Sequence, residues 1–345
     1  MFFASDNAAG IAAPILEAIG RVNTGYAFGY GNDDCTKRVE QKLAEIFEHD
    51  VAVFLVPTGT VANSLAIAHL TPPWGAVLCH AESHISTDEC GAPEFFGGGI
   101  KLVGLKGEGS KIAPVTLRAA LDGQWGGPHH VSPSVLSLSQ ATECGTIYRA
   151  SEISELADLA HGRGLAVHMD GARLGNALAR MNVSPAEATW KAGVDVLSLG
   201  ATKGGAMGAE AVIFFDPKRG ANMQDRRKRG GALLSKHRFI AAQMEAYLEG
   251  DLWLKLARHA NDMADALATG LTAADARPVW PVEANEVFAP LTAEADKRLK
   301  AAGAMYYPWP SAGLNIGAGK ILVRLVTSFQ TTREDVDKFL ATMRA

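Results

Sequence analysis

The stretch LAVHMDGAR at residues 165–173 is a short apolar run that ends in an acidic residue and a glycine. A second apolar run at residues 194–199 leads into Gly200-Ala201-Thr202-Lys203. Runs of this kind, alternating with helical segments, favour a mostly parallel sheet that is covered on both faces. Because ligands bind beyond the carboxyl ends of such strands, Asp170 and Lys203 are the first candidates for a site.

Further strands are predicted where other short apolar runs occur, at residues 51–56, 134–138, 211–215 and 321–326. Helices are predicted at residues 61–70 and from Ser151, where Ile153, Leu156, Ala157 and Ala160 form one apolar stripe. Ser184-Pro185-Ala186-Glu187 has the residues of a capping box and predicts a helix that ends at Gly193. One long helix is predicted from about Ser235 to Leu271.

These elements predict an α/β protein with two domains. Residues 1–245 form a large domain with a mostly parallel sheet, and residues 246–345 form a smaller C-terminal α+β domain. The N-terminal segment 1–34 is expected to pack at a subunit interface.

Composition limits the classes of function. The 345 residues are 48% hydrophobic and 20% charged, with a net charge of −4 and no long block of one sign, so no nucleic-acid or membrane partner is indicated. No apolar run approaches the roughly 18 residues of a membrane span, and the N-terminus has no basic region of a signal peptide. The four cysteines form no C-x-x-C pair, which predicts neither a disulfide framework nor a metal site. We expect a cytoplasmic protein.

Three strand-end positions are candidates for chemistry. Thr58-Gly59-Thr60 opens a predicted helix, where backbone N–H groups can bind a phosphate, although the same residues also suit a simple helix cap. Asp170 either faces a ligand or caps the next helix. Lys203 is either an amine flanked by small residues beside a bulky group, or an exposed loop lysine.

The combination is more informative than its parts. A phosphate turn, an aspartate and a lysine, in that order at strand ends, is what pyridoxal 5'-phosphate (PLP) requires: a phosphate site, a partner for the pyridine nitrogen, and an amine that binds the cofactor covalently. Asp170 and Lys203 are separated by one strand–helix–strand crossover, so both can flank one site.

The chain resembles the threonine aldolases, which are PLP enzymes of fold type I with an aspartate aminotransferase-like large domain. The segments that carry the resemblance cover nearly the whole length and occur in the family's order. They are FASDN at 3–7, YGNDD at 30–34, PTGTVAN at 57–63, HMDGAR at 168–173, ATK at 201–203 and VRLVT at 323–327. The resemblance implies cleavage of threonine or allo-threonine, or of phenylserine, to glycine and an aldehyde. It also implies a homotetramer, a dimer of dimers with shared active sites.

The resemblance assigns roles to single residues. Lys203 binds the cofactor, Asp170 pairs with its ring nitrogen, Arg173 lies beside its phenolic oxygen, and Gly59 and Thr60 hold its phosphate. His84 stacks on the ring. Ser5 and Arg324 bind the substrate carboxylate, although Arg324 could instead point outward from an edge strand. Tyr30, Lys228 and Arg229 reach a neighbouring subunit's site, although residues 226–229 are in part a solvated face.

One position departs from the family pattern. Many members carry a histidine in the loop that reads QATECG at 140–145 in this chain, where Glu143 stands near that position. Either Glu143 accepts the substrate hydroxyl proton directly, or His84 does so through a water.

Two kinds of rival function remain open. Another reaction on the same scaffold, such as β-elimination or transamination, would use the same cofactor residues. A non-catalytic module that binds a phosphate ligand would use only Thr58-Gly59-Thr60, and the sequence has no G-x-x-x-x-G-K-[ST] motif that supports it.

Overall fold

Seven strands form the larger of two sheets in this computed structural model, which describes all 345 residues. The strands are β1 (Ala52–Val56), β2 (Gly75–His80), β3 (Lys101–Leu105), β4 (Ser132–Ser139), β5 (Ala166–Gly171), β6 (Val196–Gly200) and β7 (Glu210–Phe214). Their order is β1-β7-β6-β5-β4-β2-β3. Only β7 runs antiparallel to its neighbours, so the prediction of a mostly parallel sheet is confirmed.

The smaller sheet is antiparallel and is built from the last third of the chain. It contains β8 (Glu286–Thr292), β9 (Tyr307–Pro308) and β10 (Lys320–Val326), in the order β8-β10-β9. The N-terminus joins this sheet, because Phe3 donates its N–H to the Met305 carbonyl and accepts from the Val326 N–H.

Thirteen α-helices surround the sheets. They are α1 (Ala13–Arg21), α2 (Asp34–Ile46), α3 (Gly59–Leu70), α4 (His84–Thr87), α5 (Ala92–Phe96), α6 (Pro114–Leu121), α7 (Ala150–His161), α8 (Leu174–Met181), α9 (Met223–Arg229), α10 (Arg238–Leu248), α11 (Leu252–Thr272), α12 (Ala293–Ala301) and α13 (Arg333–Arg344). No helix combines the length and the apolar character that crossing a membrane requires.

Two apolar cores lie on either side of α11. Trp253 near the start of this helix packs in the core of the large sheet, whereas Leu267 and Leu271 near its end pack with β8 and β10. The helix therefore connects the two units. The division at residues 245 and 246 stays a prediction.

The predicted long helix from Ser235 is two helices. Gly250 and Asp251, between α10 and α11, have φ values of 54° and 57°, which no right-handed helix accommodates. The chain therefore turns at this point and starts α11 in a new direction.

The predicted helix at Ser184 is also different in the structure. The capping box forms, since Ser184 and Glu187 exchange backbone-to-side-chain hydrogen bonds of 2.9 and 3.2 Å. However, Thr189 leaves the helical region with φ −130° and ψ −104°, and the chain continues as a short 3-10 helix, Trp190–Ala192. A correct N-terminal signal is thus followed by too few helical residues for an α-helix.

Gly200 at the end of β6 allows two strand ends to approach each other. A Cβ at this position would lie 2.7–3.0 Å from backbone atoms of Ala172, which follows β5. Backbone atoms cannot yield as a flexible side chain can, so only glycine permits this contact. Since Asp170 ends β5 and Lys203 follows β6, the contact also sets the separation of those two residues.

We expect Gly200→Ala to lower the free energy of unfolding by about 1–3 kcal/mol, because the added methyl overpacks this contact. Gly20→Ala is the matched control, since Gly20 lies in α1 with no atom within 4 Å of the added Cβ. Alanine there is expected to raise stability by about 0.5–1 kcal/mol. Urea unfolding of both variants measures this, and equal effects would contradict the account.

Candidate functional site

A cavity of about 450 Å³ lies at the carboxyl ends of β4, β5 and β6. Seven of the predicted site residues line it together, although they come from distant parts of the sequence. They are Gly59, Thr60, His84, Glu143, Asp170, Arg173 and Lys203. The location agrees with the rule that parallel sheets bind ligands beyond their carboxyl ends.

One end of the cavity is the N-terminus of α3. Thr58 caps this helix by accepting the Val61 N–H at 3.3 Å, and Gly59 and Thr60 form its first turn. The first N–H groups of a helix have no partner within the helix and carry a partial positive charge. This end of the cavity is therefore suited to an anionic group such as a phosphate.

The Asp170 carboxylate lies in the middle of the cavity wall and is held by two hydrogen bonds. Its Oδ2 accepts from the Asn63 side-chain amide at 2.8 Å, and its Oδ1 accepts from the Ala172 N–H at 3.0 Å. Asp170 is only 7% exposed. A buried carboxylate fixed in this way is suited to pair with a positively charged or protonated ring nitrogen.

Lys203 follows β6 and is half-buried in the lining of the same cavity. The neighbouring Gly204 packs against Tyr247, whose hydroxyl would lie only 2.2 Å from a Cβ at that position. This close packing fixes the backbone beside the lysine. The Lys203 amine, the Asp170 carboxylate and the anion-binding N-terminus of α3 thus line one cavity.

Glu143 is positioned by the turn after β4. Its Oε1 accepts from the Ser139 hydroxyl at 2.6 Å and from the His84 backbone N–H at 2.9 Å, whereas its buried Oε2 has no partner. Burial raises the pKa of Glu143 to about 7, against the opposing effect of these hydrogen bonds. The carboxyl group can therefore both hold and accept a proton near neutral pH.

Arg173 is bound by two carboxylates of the protein itself. Its guanidinium donates to Asp6 at 2.7 and 3.0 Å and to Glu286 at 3.0 Å. Burial raises the pKa of Asp6, but the charge and hydrogen bonds of Arg173, the charge of Lys203 and the hydrogen bond from Asn285 together outweigh it and lower the value to about 2. Arg173 lines the cavity while it also ties the N-terminal segment to the small sheet.

The two residues predicted to bind a substrate carboxylate do not line the cavity. The Ser5 hydroxyl accepts the Asn7 N–H at 3.1 Å, and it is Asn7 that lines the cavity. Arg324 lies on β10 with its guanidinium 5.0 Å from the Trp309 ring centroid, and its buried Nε has no partner. Both assignments stay predictions.

The residues predicted to act on a neighbouring subunit lie away from this cavity. Tyr30 is exposed, with the Lys228 Nζ 4.6 Å from its ring centroid, and Arg229 is exposed in the same helix, α9. Arg227, in the same helix, is buried and donates to the Leu55 carbonyl at 2.9 Å. The segment 226–229 is thus a solvated face only in part.

Asn63, Glu89 and Glu210 also line the cavity, although the sequence predicts no role for them. Asn63 was quoted only as part of a motif, and Glu89 and Glu210 were not identified. Burial raises the pKa of Glu210 to about 7, although the Thr202 hydroxyl and the Ala201 N–H donate to its carboxylate. Glu89 sits five residues after His84, a spacing that is too common to identify a site.

The side chains of the structure form no cluster that is suited to bind a metal ion. No group of three or more histidine, cysteine, aspartate or glutamate side chains is arranged to hold a metal ion. His80, which is spaced four residues from His84, uses its ring nitrogens for the Gly107 carbonyl and the Glu82 N–H.

This chain is similar in sequence to one protein family and to individual threonine aldolases. The family model described as beta-eliminating lyase matches residues 3–294. A low-specificity L-threonine aldolase from Pseudomonas sp. is 40% identical over 347 residues, which cover 99% of this chain and 97% of that protein. The protein of the same name from Pseudomonas aeruginosa is 41% identical over 336 residues, 96% and 95% of the two chains.

Solved structures agree with the sequence matches. A threonine aldolase from Leishmania major superimposes with a TM-score of 0.93 at 29% identity, covering 99% of this chain and 98% of that one. A serine palmitoyltransferase from Sphingomonas wittichii gives a TM-score of 0.73 at 16% identity, with coverage of 100% and 86%, and shows the fold alone.

The protonated Glu143 carboxyl gives a testable dependence of stability on pH. Because the folded pKa is raised from 4.5 to about 7, this contribution is fully present below pH 4.5 and is lost as the pH rises through 7. We expect the wild type to lose up to about 3 kcal/mol relative to Glu143→Gln between pH 5 and pH 8.

Urea unfolding at several pH values measures this difference. Glu155→Gln is the control, because Glu155 is exposed on α7. A difference between the wild type and Glu143→Gln that does not change with pH would contradict the predicted titration.

Proposed function

The chain belongs to the beta-eliminating lyase family and, within it, to the low-specificity threonine aldolases, and from this we propose that it cleaves threonine-type β-hydroxy-amino acids with PLP. The products are glycine and an aldehyde. The observation that carries the proposal is the meeting of the α3 N-terminus, the Asp170 carboxylate and the Lys203 amine in one cavity.

The side chains of the cavity fit the cofactor. Gly59 and Thr60 would hold the phosphate, Asp170 would pair with the ring nitrogen, Lys203 would bind the aldehyde carbon, and His84 would lie against the ring. When bound, PLP supplies a ring system that accepts the electron pair of the broken Cα–Cβ bond. The held carboxylate of Asp170 favours a proton on the ring nitrogen, which strengthens that property.

Glu143 is the group that we propose as the base for the substrate hydroxyl. Its Oε1 is occupied by Ser139 and His84, so Oε2 is the atom free to accept the proton. A carboxyl group with a pKa of about 7 is half ionised at neutral pH, and it can take up this proton and later release it. In this proposal Glu143 replaces the histidine found in many threonine aldolases.

The substrate carboxylate needs a cationic partner at the edge of the cavity. Arg324 is our candidate, because its buried Nε has no partner and an arginine binds a carboxylate through two parallel hydrogen bonds. Ser5 and Asn7 belong to the N-terminal segment that Arg173 ties down, and Asn7 already lines the cavity.

We propose that the active protein is a homotetramer in which subunits share sites. Tyr26, Phe28 and Tyr30 are exposed aromatic residues of one short segment, which is joined to the chain at Ser235 by a 3.1 Å hydrogen bond from the Tyr30 N–H to the Ser235 carbonyl. Exposed aromatic groups of this size are typical of subunit interfaces. Lys228 beside Tyr30 could then reach the phosphate of a neighbour.

The reaction itself separates the alternatives. We expect the protein loaded with PLP to release one aldehyde and one glycine from threonine or allo-threonine, and Lys203→Met to lose this activity by at least about a thousandfold because the amine is absent. Lys218→Met is the matched control, because Lys218 is exposed in the short 3-10 helix that follows β7 and does not line the cavity. Release of 2-oxobutanoate and ammonia without glycine would instead favour β-elimination.

The phosphate site can be tested separately from the chemistry. We expect Gly59→Asp to weaken PLP binding by at least about tenfold relative to Gly59→Asn, because a carboxylate at the helix N-terminus repels the phosphate. Both side chains enter open space, since a Cβ at Gly59 has no atom within 4 Å.

Titration of the apo-protein with PLP, followed by visible absorbance, measures this affinity. Pyridoxal, which lacks the phosphate, is the control ligand and is expected to bind both variants alike. Equal PLP affinity of the two variants would place the phosphate elsewhere.

A further inference from the structure

Glu89 is the most buried of the acidic side chains that line the cavity, with 3% of its surface exposed. Its Oε1 accepts two hydrogen bonds of 2.9 Å, from the Asn63 side-chain amide and from Nδ1 of His84. Its Oε2 is buried and has no partner. The mechanism described above does not use this group.

Glu89 determines which nitrogen of His84 carries a proton. An ionised carboxylate can only accept, so the 2.9 Å contact requires a proton on Nδ1. In the neutral ring Nε2 is then the unprotonated nitrogen, and the orientation of the ring is fixed by the same bond. A carboxylate that orients a histidine in this way is a common arrangement in catalytic sites.

The same carboxylate is connected to the cofactor-pairing acid. The Asn63 amide donates one hydrogen to Glu89 Oε1 at 2.9 Å and the other to Asp170 Oδ2 at 2.8 Å. Because both hydrogens of one planar amide are used, the positions of the two carboxylates depend on each other. Loss of the Glu89 acceptor would free Asn63 to rotate away from Asp170.

We propose that Glu89 is a positioning residue, which holds His84 in its Nδ1-protonated form and, through Asn63, fixes the Asp170 carboxylate. The consequence for catalysis rests on the proposed function, whereas the effect on His84 does not. Glu89 itself touches neither the substrate hydroxyl base nor the Lys203 amine in this arrangement.

The charges around His84 support this assignment. The hydrogen bond to Glu89 is the main factor that raises the pKa of His84, while burial opposes it. Asp170 raises the pKa further and Lys203 lowers it, and Glu143 accepts from the His84 backbone rather than from its ring. Burial also raises the pKa of Glu89, against the opposing hydrogen bonds from His84 and Asn63.

The test is nitrogen NMR of protein labelled with ¹⁵N-histidine, with the His84 signals identified by their loss in His84→Phe. We expect Nδ1 to be protonated in the wild type. In Glu89→Gln we expect the pKa of His84 to fall by about one unit or more, since the charged acceptor is gone. Glu155→Gln is the control and should leave His84 unchanged.

Kinetics of the PLP-loaded enzyme supply the second readout. We expect kcat to fall in Glu89→Gln, with a smaller change in KM, because the Asp170 carboxylate loses the position that Asn63 gives it. If Glu89→Gln does not fold, Glu89→Asp carries the test, because a shorter carboxylate should give a smaller shift in the same direction.

The outcomes are distinguishable. An unchanged protonation state and pKa of His84 in a folded Glu89 variant would overturn the positioning role and leave the proposed function intact. The expected NMR shift in a protein that cleaves no β-hydroxy-amino acid would support the positioning role and overturn the proposed function instead.

Discussion

The buried carboxylate of Asp170 is the constraint on which the rest of the site depends. Removing a carboxylate from water is costly unless fixed donors replace the lost hydration. Here the donors are the Asn63 side chain and the Ala172 N–H, at 2.8 and 3.0 Å. Asn63 belongs to α3, whose first turn forms the anion-binding end of the cavity, so one hydrogen bond fixes the acid relative to that end. The close contact of Gly200 with Ala172 then holds the end of β6, which precedes Lys203, beside the end of β5, which carries Asp170.

Two carboxyl groups of the cavity, those of Glu143 and Glu210, have pKa values near neutral pH. Burial raises the pKa of Glu143 and of Glu210 to about 7 and also raises that of Glu89, whereas the pKa of Asp6 is lowered beside Arg173. Carboxyl groups at one site with such different proton affinities are suited to different tasks, namely holding a charge or transferring a proton. An aldol cleavage needs both, since one proton leaves the hydroxyl and another is added to the glycine carbon.

The parallel sheet, Asp170 and Lys203 could be predicted from the sequence, because each depends on a local pattern of apolar residues followed by a polar strand end. The contacts of Asn63 with Glu89 and Asp170 could not, since they join residues 26 and 107 positions apart. The break at Gly250 was missed because the apolar spacing continues across it. Ser5 and Arg324, which the resemblance assigns to the substrate carboxylate, lie on the N-terminal segment and on the small sheet and do not line the cavity.

The covalent attachment of PLP to Lys203 is the central claim, and peptide mapping after reduction tests it most directly. Protein incubated with PLP is treated with borohydride, which fixes the cofactor irreversibly to the amine that binds it, and the digested peptides are analysed by mass spectrometry. We predict the pyridoxyl-phosphate modification on the peptide that contains Lys203 and on no other peptide in comparable yield. A protein that stays unmodified, or one modified only at surface lysines such as Lys218, would contradict the assignment of the cofactor and of the site.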